Sequence, residues 1–314
     1  MKILFVADRL ETFKIEKDTT FAMMRECDRR GMEVFACEVQ DLFWLSGDLV
    51  KASASRLSLD LTPQAQWFTR GKAFNHALKD FSAVLMRKDP PFDVEYFYAT
   101  HLLQHASKEG ARVFNDPAAL RDHPEKLAIL NFSHLISPTL VTKNAQLIKA
   151  FHEEHQDIIL KPLDGMGGRG IYRVKSDGLN LGSLIETLNL EGQQTVMVQR
   201  FIPDIQRGDK RILLIDGQPV PFSLARIPQG SEVRGNLAAG GLGVAQALTK
   251  RDLEIAHELG PVLRAKGLFL VGLDVIGDKL TEINVTSPTC FQEITDQTGF
   301  DVASCFVDAL IQHI

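Results

Sequence analysis

Near the C-terminal end of the chain, three oxygen-bearing side chains stand in a pattern that suits a hard cation. The segment Val271-Gly-Leu-Asp-Val-Ile-Gly-Asp-Lys-Leu-Thr-Glu-Ile-Asn-Val285 reads as two strands joined by a turn. Side chains alternate along a strand, so Glu282 and Asn284 share a face. A three-residue or bulged turn at Gly277 to Lys279 sets Asp274 opposite Glu282 on that face. The common two-residue turn, Gly277-Asp278, sets them on opposite faces. Like charges directly opposed cost several tenths of a kcal/mol unless a cation lies between them. Two carboxylates and one amide oxygen, with phosphate oxygens and water, complete an octahedron around Mg²⁺ at roughly 2.0–2.1 Å. Taken alone, a solvated hairpin face accounts for the same residues.

A second feature could hold the phosphates such a cation would bridge. In Ile158-Ile-Leu-Lys-Pro-Leu-Asp-Gly-Met-Gly-Gly-Arg-Gly170, an apolar run ends in Lys161-Pro162, and Gly165, Gly167, Gly168 and Gly170 follow in one short loop. Apolar residues resume at Ile171, so the pattern is strand, glycine loop, strand. Glycines this dense let backbone N–H groups approach an anion closely. The loop is neither a Walker loop nor a dinucleotide fingerprint, since both open a helix. A plain hairpin turn fits it equally well by itself.

Cations and a strand end extend the set. Lys126 precedes an apolar helix and alone is a surface lysine. Val198-Gln-Arg-Phe-Ile202 is a strand end followed by Pro203, whose exposed backbone suits the edge of a purine. Arg207, Lys210, Arg211, Arg226 and Arg234 surround the stretch 227–241, which is rich in small and turn-forming residues. Long loops without their own structure are disordered or serve as active-site lids, and arginines there suit carboxylate and phosphate oxygens.

The elements that must position these residues follow a recognisable order. The N-terminal third alternates strands (2–7, 34–37, 83–86, 112–114) with helix (19–30), the rhythm of a small doubly wound parallel sheet. The loop after the first strand, Asp8-Arg-Leu-Glu-Thr-Phe13, lacks GxGxxG, which removes the main support for a nicotinamide or flavin site. A helix is expected over 124–132, then an α+β region: strand 139–142, helix 144–154, strand 158–161, strand 171–174, helix 182–189 and strand 195–200. The last segment carries strands at 211–215, 220–225, 269–276 and 280–285, with helices near 249–265 and 300–313.

Composition narrows the class of partner. With 314 residues the chain has room for two or three domains, and a net charge of −5 argues against a general binder of nucleic acid or anionic membrane. No apolar run approaches the roughly 18 residues of a membrane helix, and Met1 to Asp8 reads as a buried strand, not a signal peptide. Cys27, Cys37, Cys290 and Cys305 form no CxxC pair, which suits reduced thiols in the cytoplasm. His101 and His105 share a helix face without the spacing of a zinc site.

Lys126, the Lys161 glycine loop, the Val198–Ile202 strand end and the Asp274/Glu282/Asn284 trio resemble the ATP-grasp fold over roughly residues 123–314. More narrowly, five strings resemble the bacterial glutathione synthetase family across nearly the whole chain. They are Met86-Arg-Lys-Asp-Pro-Pro-Phe92, Lys161-Pro-Leu-Asp-Gly-Met-Gly-Gly168, Arg226-Ile-Pro-Gln-Gly230, Arg234-Gly-Asn-Leu-Ala-Ala-Gly-Gly241 and Thr281-Glu-Ile-Asn-Val-Thr-Ser-Pro-Thr-Cys290. The chain departs from that family at Leu242 and Gln292, where arginines stand in its pattern.

The resemblance implies an N-terminal α/β domain (1–122) followed by an ATP-grasp fold of two α+β subdomains (123–202 and 203–314), with a flexible loop at 227–241. It implies a cytoplasmic ligase, a homo-oligomer and by family a tetramer, that joins γ-glutamylcysteine to glycine with ATP and Mg²⁺ or Mn²⁺, the last step of glutathione biosynthesis. By the same match Lys126, Lys161, Gly165, Met166, Gly167, Gly168, Gln199, Arg200, Phe201, Ile202 and Asp209 bind nucleotide. Asp274, Glu282 and Asn284 bind metal. Arg211 and Arg226 stabilise charge on the reacting groups, while Lys17, Asp18, Arg87, Arg234, Asn236, Ser287, Pro288 and Thr289 hold substrate. Cys290 is read as structural. A sister ligase with another acid and amine would share the nucleotide and metal residues but not the Arg234 string. A non-catalytic ATP-binding module would not need the intact carboxylate–asparagine trio.

Overall fold

The computed structural model describes residues 1–60, 66–230 and 232–314. The first strand, β1 (Lys2–Val6), is buried on both faces, with Ile3 and Phe5 in one core and Leu4 and Val6 in another. A strand apolar on both sides must lie inside a sheet covered by helices. Helix α1 (Thr19–Arg29) covers one face, its N-terminus capped by Asp18 at 2.7 Å from the Phe21 amide. Strands β2 (Glu33–Cys37), β3 (Leu42–Phe43), β4 (Lys51–Leu59), β5 (Phe68–Arg70), β6 (Phe74–Ala77) and β7 (Ala83–Met86) follow, then α2 (Val94–Lys108), β8 (Val113–Phe114) and α3 (Pro117–Asp122). The sheet order is β3-β4-β2-β1-β7-β8.

The parallel centre β2-β1-β7-β8 agrees with the expected rhythm. The antiparallel additions β3 to β6 were not expected, because residues 42–77 mix polar and apolar side chains without a clear period. Tertiary pairing on β4 decides them. The helix expected over 124–132 is replaced by 3₁₀ turns at Ala128–Leu135, broken at Phe132, whose φ/ψ are not helical.

A second, antiparallel sheet is built from β9 (Thr139–Thr142), β10 (Ile158–Pro162), β11 (Tyr172–Val174) and β12 (Val196–Arg200), in the order β11-β10-β12-β9. Helices α4 (Ala145–His155) and α5 (Leu181–Leu188) contribute Ile148, Ile185 and Leu188 to its own small core. The third sheet runs β15-β14-β13-β16-β17 through β13 (Asp209–Ile215), β14 (Gln218–Ile227), β15 (Leu242–Ala247), β16 (Leu270–Ile276) and β17 (Lys279–Asn284). Helix α6 (Lys250–Ala265) packs on it, held by a Thr249/Asp252 capping box and by the buried pair of Lys210 with Asp252.

Two last helices, α7 (Phe291–Thr298) and α8 (Val302–Ile311), return to the first sheet. Arg30 at the end of α1 bonds Asp308 at 2.6 Å and Ser304 Oγ at 2.8 Å on α8. The chain's end therefore closes the face opened by its beginning. Among the described residues no helix is long and apolar enough to cross a membrane.

Candidate active site

The β16–β17 hairpin builds the carboxylate face by an unexpected route. Its turn is the two-residue Gly277-Asp278, with Ile276 paired to Lys279 and Val275 to Leu280. Such a turn alone would separate Asp274 from Glu282. One extra residue, Thr281, then shifts the register, and Asp274 pairs with Glu282 and Gly272 with Asn284. A bulge of this kind inserts one residue on one strand and returns the following side chains to the other face. The expected juxtaposition is present, with the bulge in the strand and not in the turn.

Asp274 is 2 % exposed and both its oxygens are engaged. Arg211 donates from Nε to Oδ1 at 2.6 Å and from Nη2 to Oδ2 at 3.2 Å, while Arg226 Nη2 lies 2.9 Å from Oδ2. Burial alone would raise this carboxyl, but the two guanidinium groups outweigh it and hold the pKa well below the ordinary carboxylate value. Arg226 also bridges to Asp209, 2.5 Å away, so four buried charges form one network. Asp209 is pushed up to about 6, chiefly by burial, with Arg226 opposing and Asp274 adding to the rise.

Lys126 stands between this face and the glycine loop. Its Nζ lies 3.4 Å from Glu282 Oε1 and donates to the carbonyls of Leu163, at 3.3 Å, and Gly165. Lys161, next to last in β10, is buried, with Nζ 3.5 Å from the Thr281 carbonyl of the bulge. Burial lowers its ammonium pKa against the pull of Glu282. Asn284 donates from Nδ2 to the Gly272 carbonyl at 3.2 Å, which leaves its amide oxygen as the acceptor it can offer to the cleft it lines.

Most of these groups line one open cleft of about 250 Å³. It brings together Lys126, Gly165, Met166, Gly167, Gly168, Arg211, Arg226, Asn236, Asp274, Glu282, Asn284, Ser287 and Thr289. A second recess of about 100 Å³ adjoins it through Glu282 and Asn236 and is lined by Lys161, Gln199, Arg200, Phe201, Ile202, Asp209 and Arg234. Ile159, Ile171 and Ile276 give that recess apolar walls. Behind Phe201 the Arg173 guanidinium lies 3.5 Å from the ring centroid, a cation–π contact that fixes the ring.

The long loop meets the glycine loop across the cleft mouth. Its ends are paired directly, Ile227 with Leu242, so it is the tip of the β14–β15 hairpin; Ser231 lies outside the described residues. Arg234 Nη1 donates to the Gly168 carbonyl at 3.2 Å and pairs with Glu232. Gly168 has φ +82°, and a Cβ there would lie 2.7 Å from Asn236 Oδ1. Only glycine permits this approach.

Lys17, Asp18, Arg87 and Pro288 do not line either cavity. Lys17 is exposed, and Asp18 spends its carboxylate capping α1. Arg87 is buried between Thr20 Oγ1, 3.1 Å away, and the Pro288 carbonyl, 3.0 Å away. Glu125 was not expected. Its Oε1 accepts from the amides of Val285 and Thr286 at 2.9 and 3.0 Å and from Thr286 Oγ1 at 2.8 Å, tying the Lys126 segment to the end of β17. Adjacency to Lys126 was the only signal in the sequence. Cys290, read as structural, does border the cleft, yet it is 1 % exposed and burial raises its thiol pKa, which disfavours a thiolate nucleophile.

The donor set fits a hard divalent cation. Two carboxylates directly opposed and an amide oxygen are oxygen ligands of the kind Mg²⁺ and Mn²⁺ take, and Asp274 Oδ1, which accepts from Arg211 Nε alone among the described residues, keeps a lone pair for the cation. Among the described residues no cluster of three His, Cys, Asp or Glu side chains offers a competing site.

The family model described as the N-terminal domain of prokaryotic glutathione synthetase matches residues 1–121, and that of its ATP-grasp domain matches residues 125–299. The chain is 59% identical to the glutathione synthetase of Ralstonia nicotianae over 310 residues, 99% of this chain and 95% of that one. It is 53% identical to that of Nitrosomonas europaea over 316 residues, 100% of this chain and 98% of that one. Among solved structures, the D-cycloserine synthetase DcsG superposes with a TM-score of 0.68 at 16% identity, covering 99% of both chains. The ATP-grasp ligase PsnB, complexed with minimal precursor, Mg and ADP, does so at 0.61 and 18%, covering 99% of this chain and 97% of that one. At such identities the two structures speak for the fold alone.

Proposed function

The chain belongs to the prokaryotic glutathione synthetase family and is an ATP-dependent ligase making glutathione from γ-glutamylcysteine and glycine, and we propose that it works through an acyl phosphate formed in this cleft. A carboxylate is a poor acyl donor because its leaving group would be oxide. Transfer of the γ-phosphoryl group of ATP to the cysteinyl carboxylate gives a good leaving group, phosphate. The glycine amine then attacks the carbonyl, and phosphate departs from the tetrahedral intermediate.

The adenine would occupy the recess framed by Gln199 to Ile202, which Ile159, Ile171, Ile276 and Asp209 also line. Lys126 and Lys161 neutralise phosphate oxygens while Gly165, Met166, Gly167 and Gly168 close over them. Asp274, Glu282 and Asn284 would hold Mg²⁺ or Mn²⁺, which when bound neutralises charge on the transferring phosphoryl group. Arg211 and Arg226, already fixed by Asp274, present rigid N–H donors to charge that develops at the acyl phosphate. Ser287 and Thr289 face the acid, Lys17, Asp18, Arg87 and Pro288 back that wall, and Arg234 with Asn236 brings the long loop over it.

The working division is 1–122, 123–202 and 203–314, supported by one sheet in each unit. A homo-oligomer, by family a tetramer, and a cytoplasmic setting complete the reading. The setting is supported by four free cysteines, three of them buried.

One observation carries the mechanism: the glycine loop, Lys126, both arginines and the carboxylate–asparagine trio converge on one cleft. The test is phosphate release with ATP, γ-glutamylcysteine and glycine, each omitted in turn. Release must require ATP and the acid, and glutathione must require all three. Faster turnover with a different acid or amine would sink the substrate assignment.

A further inference from the structure

Two helix starts far apart in the chain are stitched together behind the acid wall. Gln292, in the first turn of α7, is 6 % exposed, and its Nε2 donates to the Ile15 carbonyl and, at 3.1 Å, to the Asp18 carbonyl. Beside it the Phe291 amide donates to Thr19 Oγ1 at 3.3 Å. The stretch so held is a single turn, in which the amides of Lys17 and Asp18 both donate to the Lys14 carbonyl at 2.9 Å. Asp18 then caps α1.

A glutamine suits this place for a physical reason. Its amide offers two N–H donors in one plane, enough for two carbonyls, and buries no net charge. Acceptor groups there would face two carbonyl oxygens without a proton between them. Thr289 and Cys290, which border the cleft, lie just before the same helix turn. Arg87 and the Phe291 amide tie Thr20 and Thr19 to the same wall, and Gln292 is the side chain that extends this attachment to the Ile15–Asp18 turn itself.

We infer that Gln292 is a positioning residue for the acid substrate, fixing the Ile15–Asp18 turn against the Ser287–Thr289 wall and so setting how tightly γ-glutamylcysteine is held. The inference rests on the assignment of those two segments to the acid. It makes Gln292 a determinant of one substrate's KM and not of the chemical step.

The test is steady-state kinetics of Gln292→Ala, Gln292→Glu and Gln292→Arg with each substrate varied. Gln292→Ala is expected to raise KM for γ-glutamylcysteine about tenfold, with kcat and KM for ATP and glycine within about twofold. Gln292→Glu, which replaces donors by acceptors, is expected to do at least as much. Gln292→Arg restores N–H donors and should return KM to within about threefold of the parent, so it carries the comparison with Gln292→Glu if the alanine variant does not fold. Amide exchange over residues 14–18 should be faster in Gln292→Ala than in the parent. An unchanged KM for γ-glutamylcysteine in both the alanine and glutamate variants overturns the inference. An equal rise in all three KM values also overturns it, since that marks general loosening. Failure of the parent protein to form glutathione would overturn the functional reading instead, and the exchange comparison would still report on the turn.

Discussion

Asp274 and Glu282 face each other across the β16–β17 hairpin because Thr281 is one residue more than the partner strand can pair. The carbonyl of that same extra residue meets Lys161 Nζ, and its hydroxyl donates to the Asp274 carbonyl at 3.1 Å. The irregular residue therefore sets the carboxylate register and touches the lysine near the end of the strand that leads into the glycine loop. A regular hairpin would have placed Asp274 and Glu282 on opposite faces of the sheet.

From this register follows an expectation for the proposed metal ligands. Glu282→Gln keeps the shape but removes a charge, and kcat should fall at least ~10²-fold with the Mg²⁺ requirement moved to higher concentration. Asn284→Ala should move the Mg²⁺ requirement in the same direction. Full activity of Glu282→Gln at ordinary Mg²⁺ would leave the hairpin with a structural role only.

The route of oxygen transfer can be read directly. If the acid is activated as an acyl phosphate, ¹⁸O placed in the cysteinyl carboxylate of γ-glutamylcysteine must be found in inorganic phosphate. Mass spectrometry of the released phosphate decides this, and label found only in water would exclude the acyl phosphate.

Asp209 makes stability depend on pH in a definite sense. Its folded pKa of about 6 lies above the unfolded carboxyl value of about 4, so in that window the folded state binds the extra proton. Stability from this group is fully present below about pH 4 and is lost as pH rises through about 6. Asp274 shifts the other way, and its contribution is lost only as pH falls below the ordinary carboxylate range. Urea unfolding between pH 4 and 7 should therefore show a stability slope in the parent that differs from that of Asp209→Asn by at most about 1.4 kcal/mol per pH unit. Identical slopes would show that Asp209 is not held protonated by burial.

The long loop should respond to ligands as a lid. Arg234 is half-buried against Gly168 and Glu232 at the cleft mouth. Trypsin should cut after Arg234 in the free protein and more slowly when ATP, Mg²⁺ and γ-glutamylcysteine are present together, because closure also shields the acyl phosphate from water. Cutting at the same rate with and without ligands would leave the loop as a linker.

Much of the architecture could be read from local patterns, and the exceptions have physical causes. Strands such as 158–162 and 196–200, and helices such as 145–155, lie within a residue or two of their expected bounds, because apolar period and capping residues act over a few positions. The hairpin additions β3 to β6 and the broken turns at 128–135 were not legible, since pairing partners and kinks depend on residues far along the chain. The same division runs through the site. Residue type and spacing alone named the glycine loop and the carboxylate–asparagine trio as candidates. The long strings around them, Arg234 to Gly241 above all, pointed to the family and through it to a role for Arg211 and Arg226, which already stood among the cations around the loop.

What residue identity determined by itself is the chemistry available: hard oxygen ligands, lysines and arginines for phosphate, and glycines for close approach. What only the tertiary structure decided is how those groups are spent. It committed both oxygens of Asp274 to Arg211 and Arg226, turned Asp18 into a helix cap, and placed Glu125 as a clip on β17. It also joined Gln292 to a turn nearly the whole chain away. Ion pairs and hydrogen bonds act over a few ångströms, and sequence separation does not tell which residues folding brings that close.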